Sequence, residues 1–315
     1  MVFFCILKLS NKTMDNINKL ETEKQNESSI EIDTFDSLKI CQTINNEDKK
    51  VAYAIEEELE NIAKIIDVAS DRVDNGGRII YMGAGCSGRL GYIDAAELPP
   101  TYGIDYETVQ GTVAGGLEAL VKAKEGVEDD ENAAIEDLKA KNLSDKDILI
   151  TVAASGRTPY VLSGLRYAKS IGCATAALAC VKNSESGKIA DIKVETVTGQ
   201  EVIAGSTRMK AGTSTKMILN MISTGVFVKL GKVYNNLMVD MMPVNLKLVE
   251  RSKNIICKAC NVEYDEACEL YEKADHNIKV AICMKETGLD SKESLKLIED
   301  YKGHLKEAIK SFKNK

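Results

Sequence analysis

The sequence has no tryptophan, two histidines and five phenylalanines among 315 residues. Few flat rings disfavour a protein that stacks nucleic-acid bases. The net charge of -7 likewise argues against a broad basic face that neutralises phosphates. His276 and His304 lie in a highly charged C-terminal stretch, which disfavours a His-based triad or a His-rich metal site. Carboxylates must therefore carry any acid/base chemistry.

Apolar runs long enough to span a membrane are also lacking. The opening MVFFCILKLS is apolar, but no basic region precedes it and no small-residue cleavage site follows it. Because Met14 begins a polar stretch, we expect residues 1–13 to be an extension upstream of the natural start. Nine cysteines without a framework spacing indicate reduced thiols. We therefore expect a cytoplasmic protein without membrane or nucleic-acid partners.

The middle of the chain alternates short apolar runs with segments of helical pattern. Alternation of this kind predicts an α/β fold of three layers, with a mostly parallel sheet between helices. The apolar runs lie at 78–85, 108–115, 147–155, 173–180 and 192–197. The helical patterns lie at 87–97, 116–140, 157–170 and 206–230.

Composition divides the chain further. From Met14 to about Asp33 we expect a loosely ordered arm, because this stretch is polar and glycine-free. Dense mixed charge and few glycines after Pro243 predict a helical C-terminal subdomain, in which Asp290 and Glu293 form a capping box. The predicted regions are the arm at 1–34, N-terminal helices packing on the core at 35–75, an α/β domain at 76–240 and the helical subdomain at 241–315.

A glycine-rich loop follows the first predicted strand. Gly83, Gly85 and Gly88 match the GxGxxG pattern of dinucleotide sites. Such a site needs an acidic residue at the end of the next strand, whereas Asp105, at the right distance, precedes that strand. A tight turn without a ligand is the plain alternative. We favour a phosphate site because a second loop repeats the design.

Three loops place hydroxyl groups and cations near a helix start. The second is AASGRTPY at 153–160, and the third is STRMK at 206–210. Helix N-termini with such side chains bind anions, although capping is the commoner role of Ser and Thr there. Three loops with arginines favour a phosphorylated ligand. The candidate substrate-binding residues are Ser87, Gly88, Arg89, Ser155, Gly156, Arg157, Thr158, Ser206, Thr207, Arg208 and Lys210.

Several long segments carry a family resemblance. They are GAGCSGRLGYIDAAELPPTYG, VAGGLEALVKAKEGVEDD, AASGRTPYVLSGL, GSTRMKAGT and LGKVYNNLMVDMMPVN. From about residue 32 onward the chain resembles the N-acetylmuramic acid 6-phosphate etherases of the sugar isomerase (SIS) family. The resemblance implies an SIS-type α/β/α fold and a lyase that cleaves the D-lactyl ether of N-acetylmuramic acid 6-phosphate during cell-wall amino-sugar catabolism. It also implies a homodimer with no metal and no cofactor.

The same resemblance implies two catalytic residues, Glu97 as proton donor and Glu128 as the second glutamate. Pattern alone would make both of them surface acids. Glu125 lies off the family position, and we expect Glu125→Gln to stay near the wild type. Cys86 stands where the family usually has threonine, which removes one hydroxyl from the first loop. The alternatives are a non-catalytic sugar-phosphate-binding regulator, against which both glutamates count, and a sugar-phosphate isomerase of the same family.

Overall fold

The computed structural model of the chain describes residues 23–314. Its contacts divide the chain into two compact units, the first ending at Asp94 and resuming over Gln110–Ile222, the second formed by Ala95–Val109 and the chain from Ser223. The domain boundaries expected from composition stay a prediction. The expectation for residues 1–13 lies outside the described residues.

A parallel sheet forms the centre of the first unit. Its five strands lie in the order β2-β1-β3-β4-β5, and β1 with β3, β3 with β4 and β4 with β5 pair in parallel. The predicted α/β fold with a mostly parallel sheet is confirmed, as are all five strands. Their bounds are β1 Ile79–Gly83, β2 Val109–Val113, β3 Ile148–Val152, β4 Ala174–Ala179 and β5 Ile192–Glu195.

The apolar runs form strands because helices cover both faces of the sheet. All residues of β1 and β3 are buried. Their register pairs Gly83 with Val152, so both strands end at the same level. The loops that follow these strands therefore begin side by side. Gly88 lies in the helix that follows β1, and a Cβ there would lie 2.6 Å from Cγ2 of Val113 at the end of β2. Its missing side chain therefore allows this helix to pack closely against β2.

Eight α-helices accompany the strands in the described part of the chain before residue 230. The prediction of one helix over 116–140 is wrong. The segment forms two helices, because Lys122 is extended and Gly126 is left-handed, with φ of 84°. None of the helices within residues 23–314 is long and apolar enough to cross a bilayer. The helices are α1 Ser37–Glu56, α2 Leu59–Asp74, α3 Gly85–Tyr102, α4 Glu118–Val121, α5 Glu131–Ala140, α6 Pro159–Ser170, α7 Glu185–Ile189 and α8 Lys210–Lys229.

Helices dominate the second unit, as its charge pattern predicts. Ile256, Tyr271 and Ile282 are buried in its core. The capping box of Asp290 and Glu293 is confirmed. The elements after residue 230 are β6 Val233–Tyr234, β7 Leu237–Met238, α9 Leu246–Cys260, α10 Tyr264–Lys273, α11 Ile278–Thr287, α12 Ser291–Asp300 and α13 Leu305–Lys313.

The N-terminal arm is not loose where it is described. Asn26 donates a hydrogen bond to the carbonyl of Gln200 over 2.9 Å, and Ser29 donates one to the carbonyl of Val202 over 2.7 Å. Both donor side chains are buried. The expectation of a loose arm is thus wrong for residues 23–34, because its polar side chains satisfy backbone carbonyls of a distant loop.

Candidate active site

Two cavities that share lining residues open where β1 and β3 end. The larger has a volume of about 350 Å³ and the smaller about 240 Å³. Open parallel sheets commonly bind ligands at the carboxyl ends of their strands. Both cavities are lined by Ala84, Ser87, Ala154, Thr158 and Thr207.

One hydroxyl from each predicted loop reaches the shared wall. Ser87 comes from the first loop, Thr158 from the second and Thr207 from the third. Ser155 and Arg157 line the smaller cavity. The structure therefore brings these five predicted residues together.

The second loop leaves its hydroxyl available to a ligand. Thr158 precedes α6, whose first residue is Pro159, and its side chain makes no capping hydrogen bond. Gly156 shapes this loop through its backbone, with φ of 65°. A Cβ there would lie 2.3 Å from Cβ of Ser184, so a side chain would displace the loop.

Arg89 and Arg208 differ in position. Arg89 lines the larger cavity, and its Nε donates to the carbonyls of Ala119 and Leu120 over 2.9 and 3.2 Å. Arg208 is exposed and lines neither cavity. Burial raises the pKa of the Cys86 thiol, although the charges of both arginines oppose that rise.

Lys210 and Ser206 are also absent from both cavity walls. The ammonium of Lys210 is buried and lies 2.7 Å from Oε2 of Glu47. Burial favours a raised pKa for Glu47, but hydrogen bonds from Lys210, Lys50 and Asn26 outweigh it and lower the pKa to about 2. The structure is therefore at odds with the expectation that Lys210 binds substrate. The positive charge of its ammonium is already neutralised by the buried carboxylate of Glu47.

Acidic side chains enter the larger cavity from the loop between α4 and α5. Glu128 lies in a short 3-10 helix, Val127–Asp129, and is half-buried. Glu125 and Lys124 line the same cavity. Glu125 therefore lies at the cavity although it is off the family position, and near-wild-type activity of Glu125→Gln stays a prediction. No local pattern predicts this position, because Glu125 precedes the 3-10 helix and left-handed Gly126 separates the two.

Glu97 is placed differently from Glu128. It is exposed on the second half of α3 and is not among the residues that line either cavity. It follows Ser87 by ten residues, which is about 15 Å along a helix axis. Of the two predicted catalytic glutamates, Glu128 is thus the one that lines these two cavities.

Known proteins resemble this chain over nearly its whole length. It is 51% identical over 300 residues to N-acetylmuramic acid 6-phosphate etherase of Clostridium beijerinckii, with 95% of this chain and 99% of that one covered. It is also 51% identical over 295 residues to the enzyme of that name from Lactobacillus acidophilus, at 94% and 99% coverage. This chain belongs to the N-acetylmuramic acid 6-phosphate etherase family.

Two further similarities concern the fold. A family model, the glucokinase regulatory protein N-terminal SIS domain, matches residues 61–169. A phosphoheptose isomerase from Francisella tularensis is 17% identical, with a TM-score of 0.45, and 62% of this chain and 100% of that one are covered. The match of the SIS-domain model, together with the five-stranded sheet and its covering helices, confirms the predicted SIS-type fold.

Proposed function

We propose that this chain cleaves the D-lactyl ether of N-acetylmuramic acid 6-phosphate in the two cavities that share Ser87, Thr158 and Thr207. As a member of the etherase family, the chain is a carbon–oxygen lyase. The observation that carries the proposal is the meeting of Ser87, Thr158 and Thr207 in one cavity with Glu128. Hydroxyl groups and helix N-termini suit a phosphate, and a carboxylate nearby suits proton abstraction.

The phosphate end of the substrate belongs in the smaller cavity. Ser155 and Arg157 line it beside the shared Ser87, Thr158 and Thr207. Hydroxyls and a guanidinium make strong hydrogen bonds to phosphate oxygens. Binding energy from this remote group positions C2 of the sugar toward Glu128 in the larger cavity.

The reaction proceeds on the ring-opened sugar. Glu128 takes the proton from C2, which is acidic because it lies next to the C1 aldehyde. A double bond forms between C2 and C3 as the bond from C3 to the ether oxygen breaks. Glu97 gives that oxygen a proton, and D-lactate leaves. Water then adds its hydroxyl to C3 and a proton to C2, which yields N-acetylglucosamine 6-phosphate.

The enzyme acts as a homodimer in this proposal, and Glu97 of one subunit serves the cavity of the other. Its exposed side chain follows by four residues Ile93, which is 60% exposed. Residues four apart share a helix face. An apolar side chain beside an exposed carboxylate fits a face that a second copy covers.

Mixing two inactive variants tests this arrangement. Glu97→Gln and Glu128→Gln chains, unfolded together and refolded, form mixed dimers in which one site holds both native glutamates. Activity of about a quarter of the wild type is expected, since half of the dimers are mixed and each has one working site. No recovery would show that each site takes both glutamates from one chain.

The reaction itself is tested with the purified wild-type protein. Incubation with N-acetylmuramic acid 6-phosphate should release D-lactate in proportion to the sugar consumed. A sugar-phosphate isomerase would convert a sugar phosphate and release no lactate. A regulator would bind the sugar phosphate and leave it unchanged.

We also place this enzyme in the cytoplasm. The eight cysteines among the described residues are free thiols. Thiols persist where glutathione and thioredoxin keep cysteines reduced. Fractionation of the native cells, with D-lactate release as the readout, tests the assignment.

A further inference from the structure

The N-terminal segment forms part of the cavity wall. Glu23 lines the smaller cavity together with Ser155 and Arg157. Its carboxylate lies over Gly205, since a Cβ on that glycine would come within 3.0 Å of Oε2 of Glu23. A carboxylate thus stands beside the groups that suit a phosphate.

Buried hydrogen bonds hold this segment in place. Asn26 and Ser29, which donate to the carbonyls of Gln200 and Val202, are only 8% and 5% exposed. Between those two carbonyls lies Glu201, whose carboxylate accepts the backbone N–H groups at the start of α8. The segment that carries Glu23 is therefore anchored to the loop that supports the cavity wall.

A carboxylate is a poor partner for phosphate but a good acceptor for a hydroxyl group. The carbon next to a 6-phosphate is C5, whose oxygen closes the ring in the cyclic sugar. When the ring opens, that oxygen becomes a hydroxyl and gains a hydrogen to donate. Only the open-chain form therefore offers Glu23 a donor there.

We propose that Glu23 is a substrate-contacting residue that accepts a hydrogen bond from the C5 hydroxyl and so selects the open-chain sugar phosphate. The inference rests on the proposed function, because it assumes that the phosphate occupies the smaller cavity. It adds a role for the N-terminal segment in preparing the form of the sugar from which lactate is eliminated.

Three ligands that do not react separate this role from others. Glucitol 6-phosphate is permanently open and has a C5 hydroxyl. Methyl glucoside 6-phosphate is permanently closed and lacks that hydroxyl, and inorganic phosphate has no sugar. Dissociation constants for all three are measured by calorimetry on the full-length wild type, Glu23→Ala, Glu23→Gln and Glu27→Ala. Glu27 is exposed in the same segment and lines neither cavity.

In Glu23→Ala, glucitol 6-phosphate should bind about tenfold more weakly, the loss typical of a hydrogen bond to a charged group. Methyl glucoside 6-phosphate should bind as before, and inorganic phosphate as well as before or tighter, because a nearby negative charge is gone. Glu23→Gln should recover part of the loss, since its amide oxygen still accepts. Glu27→Ala should match the wild type.

The inference is overturned if glucitol 6-phosphate binds Glu23→Ala normally, or if all three ligands weaken together, which would give Glu23 a purely structural role. A wild type that binds these ligands but releases no D-lactate would instead contradict the proposed function. The two failures are thus distinguishable.

Discussion

Two helix N-termini of this enzyme share a sequence pattern and differ in structure. Both α6 and α8 follow a loop with hydroxyls and cations. At α6, Thr158 makes no capping hydrogen bond and lines both cavities. At α8, the carboxylate of Glu201 accepts the N–H groups of Lys210 and Ala211, each over 2.9 Å. A helix start is open to an anionic ligand when the chain has not already supplied a carboxylate.

Burial separates the two regions energetically as well. Lys210 and its ion-pair partner Glu47 are 1% and 4% exposed, whereas Thr158 and Ser155 are half-buried at the cavities. Removing one partner of a buried ion pair leaves an uncompensated charge, which is costly. Substitutions at the cavity should therefore change activity, and substitutions at the start of α8 should change stability.

The largest effect is expected at Glu128. Glu128→Gln keeps the shape of the side chain but removes proton transfer, so D-lactate release should fall by about 100- to 10,000-fold. Its urea midpoint should stay at the wild-type value. Exchange of the C2 proton with deuterium from solvent, followed by NMR, should also be lost.

Glu97→Gln sharpens the assignment of roles. It should lose lactate release to a similar extent but retain some exchange of the C2 proton, because Glu128 still acts as the base. If Glu128→Gln retained the exchange of the C2 proton and Glu97→Gln lost it, Glu97 would be the base and Glu128 the acid. Glu136, exposed on α5, is a matched control, and Glu136→Gln should match the wild type.

Stability should respond most strongly at Lys210. Lys210→Met removes the buried ammonium beside Glu47 and leaves that carboxylate with only the exposed ammonium of Lys50. Removing one partner of a buried ion pair typically costs about 3–5 kcal/mol. Urea unfolding measures the loss. Lys216→Met, on an exposed position of the same helix, should change the free energy of unfolding by less than about 0.5 kcal/mol. Equal losses of unfolding free energy in Lys210→Met and Lys216→Met would contradict the claim that the start of α8 contributes specifically to stability.

Acid should weaken the same buried pair. The pKa of Glu47 is lowered from 4.5 to about 2 in the folded chain. The unfolded chain therefore binds this proton first as the pH falls, and the stabilisation is present above about pH 4.5 and lost toward pH 2. Between pH 5 and pH 3 the wild type should lose up to about 2 kcal/mol more than Glu47→Gln in urea unfolding. Equal losses of unfolding free energy in the wild type and Glu47→Gln would show that Glu47 does not contribute to the acid sensitivity.

A smaller effect is expected at the phosphate loop. Ser155→Ala should raise KM by about three- to tenfold and change kcat less, as for a contact made equally in ground and transition states. Ser206→Ala is the control, because Ser206 lines neither cavity. An unchanged KM for Ser155→Ala would place the phosphate elsewhere.

The smallest effect concerns the first residues. Removal of residues 1–13 should leave D-lactate release and the melting temperature unchanged, because the polar stretch after Met14 is expected to separate them from the core. A large fall in melting temperature would show that MVFFCIL packs against the fold.

Local patterns were sufficient for the architecture and for part of the site. The apolar runs predicted β1 and β3 because a strand buried on both faces reads as continuous hydrophobic sequence. The hydroxyls of Ser87 and Thr158 were predicted from loops adjoining these strands, and parallel pairing brings such loops to one edge of the sheet. The family resemblance added Glu128, for which pattern alone offered only a surface acid.

Long-range contacts settled the remainder. Lys210 and Glu47 are 163 residues apart, so no local pattern shows that one neutralises the other. Asn26 likewise lies 174 residues from Gln200, to whose carbonyl it donates. Sequence patterns report which residues can form a helix start or a polar segment. Whether such a group then faces a cavity or a buried carboxylate depends on which distant segment packs against it, because hydrogen bonds and charges are satisfied in three dimensions.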